Sequence, residues 1–442
     1  MKRPRAHNPR ERDVQRGPAP ERLVQIEKPI YGGAFLARDE GKAVFVPLAL
    51  PGEQARVRLV DEKRGYATAE VEEIVAAVAE RVTPGCRHFG ACGGCQYQHA
   101  DYSAQLRMKE AVLRETLQRG GVDAPDEISV VAGEPWRYRN RIRLAFDAQL
   151  NFGYRGRRSH AVVPISECPI AAPVLVEAAR AVAEVAQEFA RVLRPSEMAL
   201  FCDASETAIL ISLFIPSPTE VRFDDFASAL KARIPQLAGA ELVVEGRANE
   251  MPRTIAQWGA ASLTYRAAGF DYRVDHGAFF QVNRWVIDAL VERVTEGEKG
   301  SLAWDLFAGV GLFARRLASA FDRVLAVESA PLATDALKAN LEGTGGIARR
   351  TATLEFLAQN SAGERPDLIV VDPPRTGLGA EITSLLAQIG PPSLFYVSCD
   401  PATLARDLRE LLANGYRAES VTLIDLFPQT FHLETLVRLR RA

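Results

Sequence analysis

From Leu23 to about Val78 the apolar residues come in short alternating stretches, broken at Gly32-Gly33, Gly41, Pro51-Gly52 and Gly65. A period of two marks strands with one buried face, and the glycine breaks mark the turns between them, so this segment predicts a small OB-like β-barrel. A helical stretch follows from about Asp101 to Arg119, then strand-like runs such as RYRNRIRLAF and LNFGYRGRRSHAVVPI. Beyond about Gly277 the apolar runs SLAWDLFAG, RVLAVES, DLIVVDPPR, SLFYVSCD, SVTLIDLF and ETLVRLR alternate with helical segments. That alternation predicts a Rossmann-like, mainly parallel doubly wound sheet, with ligands at the carboxyl ends of its strands. The expected organisation is α/β in four parts: a basic tail (1–19), the barrel (20–79), a central α+β domain (80–276) and the Rossmann-like domain (277–442). The helical segment over 101–120 is a candidate to pack on the last of these.

Composition narrows the class without naming a function. With 25% charged and 47% hydrophobic residues in a chain of 442, gross disorder and fibrous repeats are excluded, and two to four domains are expected. The net charge of −2 provides no general attraction for a polyanion, so a nucleic-acid partner must be held by local basic surface. Arg137, Arg139, Arg141 and Arg143 lie two apart beside Trp136 and Tyr138. On one strand they form a single basic face, either solvated or in contact with RNA. The Arg-rich first nineteen residues read as a solvated tail with RNA contact left open. No apolar run approaches a membrane span and the amino terminus is unlike a signal peptide, so a cytoplasmic location is expected.

The chemistry gathers at predicted strand ends. Asp305, Phe307, Gly309 and Gly311 belong to a strand that runs into a Gly-x-Gly turn, which lets backbone approach a ligand closely. Ala314 keeps a dinucleotide fingerprint open, so the glycines alone do not choose between NAD and another nucleoside cofactor. Glu328 ends the next strand, where a carboxylate grips ribose hydroxyls or caps a helix. Asp372 ends a third and is followed by Pro373 and Pro374, which stiffen the turn. Cys399 ends a fourth, just before helix-forming residues; a thiol near a helix amino terminus is expected to be a stabilised, reactive thiolate. A thiolate at such a place can add to an electron-poor double bond and make the neighbouring carbon a nucleophile, whose proton must afterwards be removed by a base. Glu434 is the candidate base, although a glutamate opening a terminal strand is as often mere surface.

Together, QVN at Gln281 to Asn283, DLFAGVGLF, VDPPR, SCDPATLARDL and FPQTFHLE resemble the RNA 5-methyluridine methyltransferases in order and wording. The front half is similar to the branch acting on 23S rRNA, in which a TRAM barrel precedes a cysteine cluster. The resemblance implies S-adenosylmethionine as cofactor in a methyltransferase domain over 277–442. It assigns cofactor or substrate contacts to Gln281, Phe307, Glu328 and Asp372, the nucleophile to Cys399 and the base to Glu434, while Asp305, Gly309 and Gly311 shape the pocket. This chain departs from many members at Ala308, where they have cysteine, and at Leu312, where they often have a polar residue. The resemblance implies that the chain acts on RNA, with 23S rRNA as the expected target and transfer RNA as the alternative; a monomer is expected.

Three of the six cysteines fall within ten residues, and Cys86, Cys92, Cys95 and Cys168 supply four thiolates. Spacing alone leaves tetrahedral zinc and an iron–sulfur cluster equally open. The resemblance implies a 4Fe-4S cluster; Cys202 is expected in the core. Two rival readings remain testable: a redox-sensing RNA-binding protein without catalysis, and a NAD-dependent oxidoreductase. Neither gives Cys399 and Glu434 a role.

Overall fold

The computed structural model describes residues 21–246 and 250–442, and the basic tail expected over 1–19 lies outside them. Two compact units divide the chain, Met1–Arg81 and Val82–Ala442. In the first, strands Glu21–Pro29, Ala34–Asp39, Lys42–Pro47, Gln54–Glu62 and Tyr66–Ala76 close into a barrel, with the fifth strand between the third and fourth. The alternation read from sequence is real: Val24 and Ile26, then Ala55, Val57 and Leu59, point into the barrel. Its buried acid, Glu53, is held by both oxygens: Arg81 donates to them at 2.5 and 2.7 Å, and the Leu50 amide adds a third bond at 2.7 Å. A fully buried carboxylate is tolerated on such charge-assisted, bidentate terms.

The second unit contains two large sheets. The central one orders its seven strands as Arg253–Gly259, Leu237–Val244, Ile209–Ile215, Glu197–Cys202, Arg141–Phe146, Phe152–Arg155 and Val162–Pro164. Helices Pro173–Glu188 and Phe223–Arg233 pack on it and on each other. Cys202 is fully buried in this core, as expected.

The predicted basic face of four arginines does not form. The strand begins only at Arg141, Arg137 sits before it at a φ of 52°, and Arg139 turns inward to line the cysteine pocket. Tyr138 is also buried and donates its hydroxyl to the Pro428 carbonyl, so it offers no ring for a base to stack on. The two-residue spacing misled because a positive φ interrupts the extended chain on which that spacing has meaning.

The second sheet has eight strands in the order Gly346–Arg350, Phe321–Glu328, Gly300–Leu306, Leu368–Val371, Ser393–Ser398, Glu434–Arg441, Tyr416–Ile424 and Ser129–Val131. The neighbours from Gly346 to Ser398 pair in parallel, whereas Glu434–Arg441 runs antiparallel to both strands beside it. The strand order reverses between Gly300–Leu306 and Leu368–Val371, which opens a crevice at their carboxyl ends.

An upstream segment completes this sheet. Helix Tyr102–Arg119, capped by the Asp101 carboxylate on the Ala104 amide at 2.7 Å, lies against helix Pro401–Ala413. The approach is so close that a Cβ on Gly120 would fall 2.5 Å from that of Ala405. Strand Ser129–Val131 then adds itself in parallel to the edge strand Tyr416–Ile424. Among the described residues no helix is long and apolar enough to cross a membrane.

Candidate active site

The crevice at the reversal point is lined by Phe279, Gln281, Phe307, Ala308, Gly309, Leu312 and Asp372. Its floor is the turn after Gly300–Leu306. Phe307 adopts a φ of 63°, a left-handed conformation that costs a residue with a side chain energy and recurs at functional sites. Gly309 and Gly311 follow at φ 55° and 92°, and a Cβ at Gly311 would lie 2.6 Å from Leu337. Glu328 spans this turn from the next strand, one oxygen accepting from the Gly309 amide at 3.0 Å and the other from Ala330 at 2.6 Å. It therefore braces the glycine turn and the residue that leads into the next helix, and its oxygens keep further lone pairs.

Beneath the turn, Asp305 is fully buried. One oxygen accepts from the Ala314 amide at 2.8 Å and the other has no partner. Burial, with help from Asp372 and Glu328, pushes its carboxyl up to about 8. Gln281 is also buried, and the loop around it is tied down: Asn140 donates to its carbonyl at 3.0 Å, while Asn283 donates to the carbonyls of Asp425 and Leu426.

Cys399 and Glu434 meet because one strand runs backwards. Ser398, the last residue of its strand, is paired with Thr435, so Cys399 and Glu434 adjoin that pair on neighbouring strands. An antiparallel strand begins where its parallel neighbours end, which brings its first residue to their carboxyl edge. Asp372 and Arg375 complete the group.

Burial pushes Cys399 up to about 11, with Glu434 and Asp372 adding to the rise and Arg375 opposing it. Asp372 is raised by burial to about 7, and Glu434 well above the carboxylate range by burial and Asp372. Burial and the facing carboxylates thus oppose the thiolate that the nearby helix was expected to stabilise. Helix Pro401–Ala413 does start two residues on, but its first amides, from Ala402 and Thr403, are already spent on the Asp400 carboxylate at 3.0 and 2.9 Å. Desolvation and facing carboxylates outweigh what remains of the helix dipole.

Residues 361–442 match the family model for tRNA (Uracil-5-)-methyltransferase, and residues 20–71 match the TRAM domain. An uncharacterized RNA methyltransferase of Streptomyces avermitilis is 34% identical over 95% of this chain and 98% of its own length. The 23S rRNA (uracil(1939)-C(5))-methyltransferase RlmD of Chromohalobacter salexigens is also 34% identical, over 95% of this chain and 89% of its own. The chain belongs to the RNA uracil-C5 methyltransferase family. Its fold agrees: a Pyrococcus abyssi tRNA (uracil-54, C5)-methyltransferase, solved with S-adenosyl-L-homocysteine, superposes with a TM-score of 0.77 at 24% identity. That match covers 95% of this chain and 100% of the other.

In this methyltransferase the four clustered cysteines also converge. Cys86, Cys92, Cys95 and Cys168 line one cavity of about 140 Å³ together with Arg139, Tyr154 and Gln98. Among the described residues no three His, Cys, Asp or Glu side chains are grouped so as to hold a single metal ion. Burial raises all four thiols, Cys95 to about 12. The Gly94 amide points at the Cys92 sulfur at 3.4 Å, and the buried Nε of Arg139 has no partner.

Several site residues were not singled out from sequence. Phe279 stands 63% exposed at the pocket mouth. Gln429 has a φ of 68°, its carbonyl accepts from the Gln96 and Tyr97 amides at 3.0 Å each, its side chain accepts from Gln105 at 2.9 Å, and its own amide donates back to the Gln105 side chain at 2.9 Å. Lys109 makes a fully buried ion pair with Asp425 at 2.5 Å, and Tyr102 donates to the same carboxylate at 2.8 Å. Only the polar residues on the inner face of a helix hinted at these contacts. The departures at Ala308 and Leu312 leave two apolar pocket walls.

Proposed function

We propose that the enzyme methylates carbon 5 of a specific uridine in 23S rRNA, with Cys399 as nucleophile and Glu434 as base. The observation that carries this reading is the antiparallel strand that brings Glu434 beside Cys399, with Asp372 shared between that pair and the cofactor crevice. S-adenosylmethionine supplies an electrophilic methyl group. The side chains of Gln281 and Phe307, the glycine turn and the Glu328 carboxylate would hold it, and Glu328 offers acceptors for its ribose.

The chain's own groups then act in order. Cys399 gives up its proton to solvent and the sulfur adds to carbon 6 of uracil, which sends the electron pair toward carbon 5 and the carbonyl. Carbon 5 takes the methyl group, and the cofactor's sulfonium leaves as the neutral thioether. Glu434, once ionised, removes the remaining carbon 5 proton, the double bond re-forms and the thiolate leaves. A carboxylate whose affinity for protons is raised by burial is a stronger base for that step than an exposed one. Asp372, held by Pro373 and Pro374, positions the base and cofactor at one point.

The four thiols fit a 4Fe-4S cluster. The donor set is all sulfur, the cavity is a shared one, and Arg139 supplies a buried cation for a group that carries net negative charge. The matching TRAM barrel and RlmD relatives support RNA as partner and rRNA as its class. The test is mass-spectrometric mapping of 5-methyluridine in rRNA from a deletion strain, before and after incubation with the enzyme and cofactor. Wild type should restore one modified uridine and Cys399→Ala none; restoration in transfer RNA instead would overturn the 23S assignment.

A further inference from the structure

We propose that a groove beside the cysteine loop binds the phosphodiester backbone of single-stranded RNA, an inference that rests on the RNA-methylating reading above. The groove, about 480 Å³, is lined by Arg143, Arg155, Arg157 and Arg158 but by a single carboxylate, Glu197. Glu197 accepts from both Arg143 at 2.6 Å and Arg155 at 3.2 Å, so one negative charge serves two guanidinium groups. Arg158 pairs with no carboxylate among the described residues. Arg143 and Arg155 keep 58% and 53% of their side chains exposed.

The arginines are mounted rigidly. Arg157 donates its amide to the Ala91 carbonyl at 3.2 Å, and Gly93 donates to the Arg155 carbonyl at 3.0 Å. A Cβ on Gly93 would come within 2.8 Å of that carbonyl, so the cysteine loop and the arginine turn are packed as one piece. Arg158 itself is fixed at a φ of 57° between Arg155 and the Gly156 to Ala161 backbone bond. A turn whose backbone is already fixed has less to order when its guanidinium forks grip phosphate bidentately.

Chemistry at the half-buried Cys399 requires the target base to leave its stack, so the strand flanking it is unpaired and its phosphates are free to be held. With a net charge of −2 on the whole chain, that hold must come from a local concentration of cations. This groove provides one, where the expected Arg137 to Arg143 face does not.

The experiment uses the full-length enzyme and a fluorescein-labelled 12-nucleotide oligouridylate, with binding followed by anisotropy at several salt concentrations. Each lost phosphate contact should flatten the slope of log affinity against log salt by about 0.7. Arg158→Ala should therefore flatten it by about 0.7 and the Arg143→Ala, Arg158→Ala pair by about 1.4, with affinity for S-adenosylmethionine unchanged as the folding control. Arg222→Ala, an exposed cation outside the groove, should leave the slope as in wild type. The proposal is overturned if the double variant keeps the wild-type slope, or if Arg222→Ala flattens it equally. Failure of wild type to methylate any RNA would instead reject the reading beneath it.

Discussion

Cys399 should be almost unreactive in the free enzyme and be switched on by charge. With the thiol lifted to about 11 from an ordinary 9.0, roughly one molecule in a thousand is ionised at pH 8, against about one in ten for an unperturbed cysteine. Alkylation proceeds through the thiolate, so iodoacetamide should modify Cys399 about a hundredfold more slowly than an ordinary thiol, with a rate that climbs with pH up to about 11. A fixed positive charge in the adjoining crevice should reverse this. At roughly 5 to 10 Å and an effective dielectric of about 20 it favours the thiolate by about 2 to 3 kcal/mol, at least tenfold in ionisation. S-adenosylmethionine carries such a charge on sulfur and S-adenosylhomocysteine, of nearly equal bulk, does not. Timed alkylation at pH 8, read by mass spectrometry of the Cys399 peptide, should thus be at least tenfold faster with the former than with the latter. Glu434→Gln, which removes the second cause of the rise, should quicken the reaction without cofactor. Equal rates with both cofactors, or a pH midpoint near 9 in the free enzyme, would refute the electrostatic argument.

Glu434→Gln should also stall the cycle after methyl transfer, leaving labelled methyl-RNA bound to protein on a denaturing gel; the band should vanish when Cys399→Ala is added, and normal turnover would remove Glu434 from the role of base. Glu328→Ala should weaken S-adenosylmethionine binding about tenfold or more, since hydrogen bonds to a charged acceptor contribute roughly 1.5 to 3 kcal/mol, as measured by calorimetry. Protein purified without oxygen should be brown and contain iron and sulfide; a colourless protein with one stoichiometric zinc would reject the 4Fe-4S proposal. Lys109→Met leaves Asp425 buried without its cation and should cost about 3 to 5 kcal/mol in chemical denaturation, much of it recovered by adding Asp425→Leu.

The sequence was most readable where local pattern and chemistry coincide. Apolar strands that end in Asp305, Glu328, Asp372 and Cys399 can be found from periodicity alone, because strand ends of a doubly wound sheet are where ligands bind. What could not be read depends on distant partners or on backbone sign. Ser129–Val131 is only three residues long and becomes a strand by pairing with Tyr416–Ile424, far along the chain. Lys109 resembles any surface lysine on a helix until Asp425 is placed against it. The positive φ at Arg137 broke an arginine pattern that looked regular, and the raised thiol at Cys399 reflects neighbours contributed by two other strands. Propensity carries none of this information, since each case is decided by tertiary packing.

The tether between helix Tyr102–Arg119 and the loop before Glu434 has a consequence for anyone who wishes to transplant this chemistry. A fragment cut at residue 277 would retain every reacting side chain on paper. It would lose the lysine that neutralises Asp425, the amides of Gln96 and Tyr97 that hold the strained Gln429, and the strand that covers the sheet's edge. A graft must therefore carry residues from about 95 to 131 along with the sheet, and those residues bring Cys95 with them. Glu434 and the sulfur cavity form one module for engineering, although more than three hundred residues of chain separate Glu434 from Cys95.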